Sequence, residues 1–180
     1  MRIAIFDGAE APNPMDAWIG AVAQGLVARG HEVEHFKLRE RNVRQCKGCF
    51  ACWVKTPGRC DIGDGADELV RALLASELLV IASPTSMGMT TALSRRVSER
   101  MIPILHPYFE VVGGEIHHRA RYARSPRVAL LYGAEGCDAE DADLLVLLYR
   151  RLAINMRSTL ALATSTARAP EEVSDALARA

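Results

Sequence analysis

The chain has 180 residues, enough for one domain whose core removes roughly 70% of the unfolded surface from water. Its 22 basic residues balance 22 acidic ones with no long run of either sign, which argues against a nucleic-acid partner or an acidic membrane surface. The longest apolar runs, such as LLVIA at 78–82, are too short to cross a bilayer, and MRIAIFDGAE at the start makes a poor signal peptide. The expectation is a cytoplasmic protein with reduced thiols, in which a disulfide framework has no place.

RIAIF at 2–6 reads as a buried first strand, followed by a loop at 7–15. Asp16 can cap a helix running to about Arg29, with Trp18, Val22 and Leu26 on one face, and Gly30 sits where that helix would stop. HEVEHFKL at 31–38 alternates like a second strand. A cysteine-rich stretch then leads to a helix over 64–76 with Leu69, Val70, Leu73 and Leu74 on its buried side. ELLVIASP at 77–84 is the clearest central strand, and MTTALSRRVSERM at 89–101 reads as a helix. A fourth strand is expected at 127–135, a helix at 139–153, a fifth strand at 157–165 and a short helix from Pro170. The alternation predicts a single α/β domain over 1–180, with a parallel sheet covered by helices on both faces.

Ligands of such sheets bind beyond the carboxyl ends of the strands, where strand order reverses. The loops at 7–15, 84–89 and 133–138 would line that edge, and the cysteine stretch after the second strand would lie near it. Cys46, Cys49, Cys52 and Cys60 form a C-x2-C-x2-C-x7-C pattern in QCKGCFACWVKTPGRC. Three readings stay open: an iron–sulfur cluster, a zinc site, or reduced thiols that pack a loop rich in Gly and Pro. Cys137 stands alone and reads as a small apolar filler. His117 and His118 are adjacent, so on a strand they face opposite ways and chelate one ion poorly. With Arg119, Arg121 and Tyr122 they read either as contacts to an anionic ligand or cofactor phosphate at a subunit edge or as part of a surface hairpin turning at Gly113 and Gly114.

CKGCFACWVKTPGRC and SPTSMGMTTALSRRVSERMIP together resemble the flavodoxin-like NAD(P)H-dependent FMN reductases and their iron–sulfur flavoprotein relatives. HPYFEVVGGEIHHRARYARSP at 106–126 resembles a segment of one branch of that group. The resemblance implies a doubly wound sheet of order 2-1-3-4-5, FMN as cofactor, NAD(P)H as co-substrate and a homodimer. It implies ring contacts from Pro84, Thr85, Ser86, Met87, Gly88 and Met89, where Gly88 would let the backbone approach a flat ligand. Further contacts would come from Gly8 and Asn13 in the first loop and from Gly133 and Gly136 after the fourth strand. It also implies a [4Fe–4S] cluster on the four cysteines in the iron–sulfur branch, although CWVKTPG looks more like the cluster-free members.

The first loop departs from the family's pattern. GAEAPNPMD contains no hydroxyl residue, Pro12 and Pro14 lack N–H donors, and Glu10 and Asp16 bring negative charge toward a phosphate. Three functions therefore compete: a flavin-dependent NAD(P)H oxidoreductase reducing a quinone, free flavin or other small acceptor; an iron–sulfur electron carrier; and a cofactor-free binding module.

Overall fold

The computed structural model describes residues 1–180. The strands are β1 (Arg2–Asp7), β2 (Glu32–Lys37), β3 (Leu78–Ser83), β4 (Thr85–Ser86), β5 (Met89–Thr90), β6 (Leu105–Val112), β7 (Glu115–Ala120), β8 (Arg127–Tyr132) and β9 (Leu160–Ser165). The helices are α1 (Pro14–Ala28), α2 (Ala51–Val54), α3 (Ala66–Ala75), α4 (Ala92–Glu99), α5 (Ala139–Asn155) and α6 (Pro170–Arg179). Five strands form a parallel sheet in the order β2-β1-β3-β8-β9, which is the 2-1-3-4-5 order of the flavodoxin-like fold. No helix is long and apolar enough to cross a membrane.

The central strands are continuous apolar runs because both faces are covered. Alternate residues serve different cores. Ile3, Ile5, Leu78, Val80, Ala129 and Leu131 pack under α1 and α6 with Ile19, Val22, Leu26, Val173 and Leu177. Ala4, Phe6, Leu79, Ile81, Val128 and Leu130 pack against α3, α4 and α5 with Leu69, Leu73, Val97, Leu145 and Tyr149. Each fully buried Leu or Ile contributes on the order of 2 kcal/mol, so the sheet's register is fixed from both sides.

Several details differ from the sequence expectation. Asn13, not Asp16, caps α1: its side chain accepts the Met15 amide, and Asp16 at the third helical position closes a capping box back to Asn13. Trp18 is half-buried: it packs against the edge of the same core as Val22 and Leu26 and donates its indole N–H to the Arg168 carbonyl at 3.0 Å. The helix expected from residue 89 begins at Ala92, because Met89 and Thr90 pair back on Ser86 and Thr85 and Thr91 supplies the cap. Residues 105–120 form the surface hairpin β6–β7, turning at Gly113 and Gly114 with φ of +58° and +85°.

Candidate functional site

The first loop closes on itself. The Gly8 amide donates to the Ala82 carbonyl at 2.7 Å and the Ala9 amide to Asp7 Oδ1 at 3.0 Å. Asp7 is fully buried at the end of β1, with Oδ2 3.4 Å from His35 Nε2 and 3.8 Å from Arg39 Nη1. Arg39 also grips Asp16 with both terminal nitrogens, at 2.9 and 3.0 Å. Burial pushes the Asp16 carboxyl up, but Arg39 and the Asn13 amide outweigh it and hold the group below its usual range. Glu10 does not hang over α1. Its Oε1 accepts the Leu93 amide in the first turn of α4 at 3.3 Å.

Beyond β3 the chain makes a tight hairpin. Thr85 pairs with Thr90 and Ser86 with Met89, leaving Met87 and Gly88 as a two-residue turn. Their φ values of +52° and +71° define a type I′ geometry. Gly88 is there for packing: a Cβ would lie 2.1 Å from Asp141 Oδ1 at the start of α5. Met87 pays conformational strain to stand 96% exposed at the tip. The Thr85 hydroxyl ties the hairpin to the loop after β8, lying 2.8 Å from the Glu135 carbonyl and 3.1 Å from that of Gly133. A Cβ on Gly133 would stand 3.2 Å from the Thr85 nitrogen, a tight contact that a larger residue could make only if the loop shifted by a few tenths of an ångström.

Between these loops lies a cleft of about 450 Å³ at the carboxyl edge of the sheet, by the switch in strand order between β1 and β3. Asn13, Pro14, Met15 and Trp18 form one wall; Pro84, Thr85, Gly133, Ala134, Glu135 and Thr166 form the rest. Asn13, Pro84, Thr85 and Gly133, singled out from the sequence, meet here. The other expected contacts do not line it. Gly8 lies flush on α4, where a Cβ would fall 1.7 Å from Ser94 Oγ. Ser86, Met87 and Gly88 form the hairpin beside the cleft. Met89 lines a separate cavity of about 300 Å³ between α4 and α5. Gly136, with φ of +70°, turns the chain with open space around it. Sequence reasoning missed Trp18, one helical turn beyond the loop, and Thr166, although the end of the fifth parallel strand belongs to the same edge.

The cysteine stretch is not part of this cleft. Trp53 on α2 donates to the Ile102 carbonyl at 3.4 Å and packs against the His118 ring at 4.8 Å, and Phe109 covers the other side of His118 at 4.6 Å. His117 points the opposite way, with Nδ1 3.0 Å from Asn155 and Nε2 3.1 Å from Glu115, so the two histidines do not share a ligand. Burial raises the Cys52 thiol, and the neighbouring Cys60, Cys46 and Cys49 raise it further. The four thiols thus gather in one loop, yet no three His, Cys, Asp or Glu side chains converge as a metal site. Burial, then Asp141 and Asp138, raises the Cys137 thiol, in keeping with an inert filler.

Sheet order and cleft together define a flavodoxin-like fold with a cleft at its topological switch. The chain belongs to the NADPH-dependent FMN reductase family, which matches residues 1–166. An iron–sulfur flavoprotein of Archaeoglobus fulgidus is 32% identical over 88 residues, covering 49% of this chain and 39% of the relative. One of Methanosarcina thermophila is 29% identical over 84 residues, covering 47% and 43%. The chain spans about half the length, or less, of the curated relatives it matches. Among solved structures, an azoreductase from Bacillus anthracis superposes with a TM-score of 0.70 at 11% identity, covering 98% of both chains. An NAD(P)H:quinone oxidoreductase from Methanothermobacter marburgensis gives 0.64 at 14% identity, covering 99% of this chain and 95% of that one. At such identities the superpositions speak to the fold alone.

Proposed function

We propose that the protein is a flavin-dependent NAD(P)H oxidoreductase that passes electrons to a small acceptor such as a quinone or free flavin. The observation that carries this reading is the cleft at the β1/β3 switch in a chain of the FMN reductase family. Its floor, formed by Pro84–Thr85 and Gly133–Glu135, is where the isoalloxazine would lie. Its α1 wall offers no free phosphate cradle. A bound flavin supplies hydride acceptance and onward electron transfer. The chain's own share is positioning: Thr85 locks the two loops that frame the floor, and Trp18, held by Arg168, walls off water on one side. No side chain needs to act as nucleophile.

The test is a visible spectrum of the protein purified with FMN, followed by NADPH consumption with a quinone present. A flavin spectrum and acceptor-dependent turnover are expected. A protein that takes up no flavin is instead a binding module. The setting we propose is a single-domain cytoplasmic homodimer. The names of the curated relatives and the gathering of thiols around Cys52 favour a second reading, an electron carrier with a [4Fe–4S] cluster. It requires the loop at 46–60 to close. Iron and acid-labile sulfide measured after anaerobic purification test it, and both lost together in Cys49→Ser would establish it.

A further inference from the structure

We infer that the cleft holds flavin by its ring system, and that the 5′-phosphate of FMN adds nothing to binding. This rests on the reading of the cleft as a flavin site and narrows its ligand class to isoalloxazines with or without phosphate. A phosphate in a sheet of this kind is held by free amides at a loop and a helix N-terminus. Here all of those amides except the exposed pair at Glu10 and Ala11 are already engaged. Gly8 donates to Ala82, Ala9 to Asp7, Asn13 to Asp16, and Met15 and Asp16 to Asn13. Pro12 and Pro14 have no N–H to give.

The anion that α1's N-terminus favours is present as part of the chain. The Asp16 carboxylate closes the capping box and is matched by both arms of Arg39. Arg39 is already shared with the buried Asp7, so its guanidinium is not free to meet a phosphate. The neighbouring helix start is occupied in the same way, with Glu10 on the Leu93 amide. The gap between them is shut, since Gly8 rests against Ser94 and its carbonyl accepts the Thr91 hydroxyl at 2.6 Å. A phosphate dianion placed here would meet the Asp16 and Glu10 carboxylates, with Asp7 beneath, against at most the two backbone amides of Glu10 and Ala11.

Fluorescence titration of the intact protein with FMN, riboflavin and lumiflavin tests this. FMN and riboflavin are expected to bind within about threefold of each other. The FMN constant is expected to stay level between low and high salt, because no ion pair forms with the phosphate. Glu10→Gln is expected to leave the FMN-to-riboflavin ratio unchanged. FMN binding tenfold or more tighter than riboflavin, a difference of about 1.4 kcal/mol, would overturn the inference while leaving the flavin reading intact. Binding of none of the three flavins would overturn both.

Discussion

Among single residues, Asp64 and Arg100 have the most at stake. Both side chains are 2% exposed, and they form a two-pronged pair at 2.8 and 2.9 Å. Arg100 donates to the Arg44 carbonyl, and Asp64 accepts the amides of Arg44 and Ala66. One buried pair thus fastens both ends of the cysteine stretch to the end of α4. Removing one partner strands the other charge in the interior, at a cost of about 3–5 kcal/mol. Asp64→Asn is therefore expected to lower Tm by roughly 10 °C in a chain this size. Asp61→Asn breaks only the exposed contact with Lys55 and is expected to move Tm by little. Equal Tm values for the two variants would refute this role. Burial pushes the Asp64 carboxyl up, but Arg100 and the two amides outweigh it and bring it down to about 2. The folded value lies below the unfolded one, near 3.9, so this stabilisation is complete above about pH 4 and fades as pH falls through about 2. Acid unfolding of the wild type should be steeper across that window than that of Asp64→Asn.

At the scale of elements, the glycines separate packing from conformation. Gly88→Ala puts a Cβ against Asp141, which cannot swing away freely because it is bonded into the α5 cap. It also forces a side chain into φ of +71°. The expected loss is about 2 kcal/mol, with weaker flavin binding because Thr85 belongs to the same hairpin. Gly136→Ala meets the backbone cost alone, about 1 kcal/mol, since nothing lies near its Cβ. Gly20→Ala, in open space inside α1, should raise stability by up to about 1 kcal/mol. Thermal melts of the three variants check the order, and a Gly88→Ala protein as stable as wild type would remove Asp141 from the explanation. The same elements mark what the sequence could reveal. The three central strands β1, β3 and β8 were legible as apolar runs between turn residues, and β2 was legible by its alternation. Asn13–Pro14 is itself a helix-start signature, and the pull of Asp16 obscured it. The two-residue strands β4 and β5 carry no periodicity to read. The partners of Gly8 and Gly88 lie far along the chain on other helices, so a ligand-facing role and a packing role looked alike in sequence.

At the scale of the whole molecule, the β6–β7 hairpin lies on the domain with its polar side inward. His117 reaches Asn155, Glu115 pairs with Arg151 and Glu110 pairs with Arg157, all of them partners on or just after α5. The apolar side faces out, with Val111 and Ile116 opposite each other and 73% and 72% exposed. On α5, Leu144, Leu147 and Leu148 are exposed at helical spacing. The segment at 106–126 read only as a hairpin or an anion contact in sequence, because the inversion depends on which helix its charged residues find. An outward apolar sheet face beside an outward apolar helix is costly in water and suits burial against a second copy in a symmetric interface. Sedimentation velocity of the wild type is therefore expected to give twice the 19.7 kDa chain mass. Ile116→Asp is expected to give a folded monomer with an unchanged far-ultraviolet circular dichroism spectrum, because the substituted side chain touches little within its own chain. A monomeric wild type, or a dimer that survives Ile116→Asp together with Leu147→Asp, would mean that these faces serve something other than self-association.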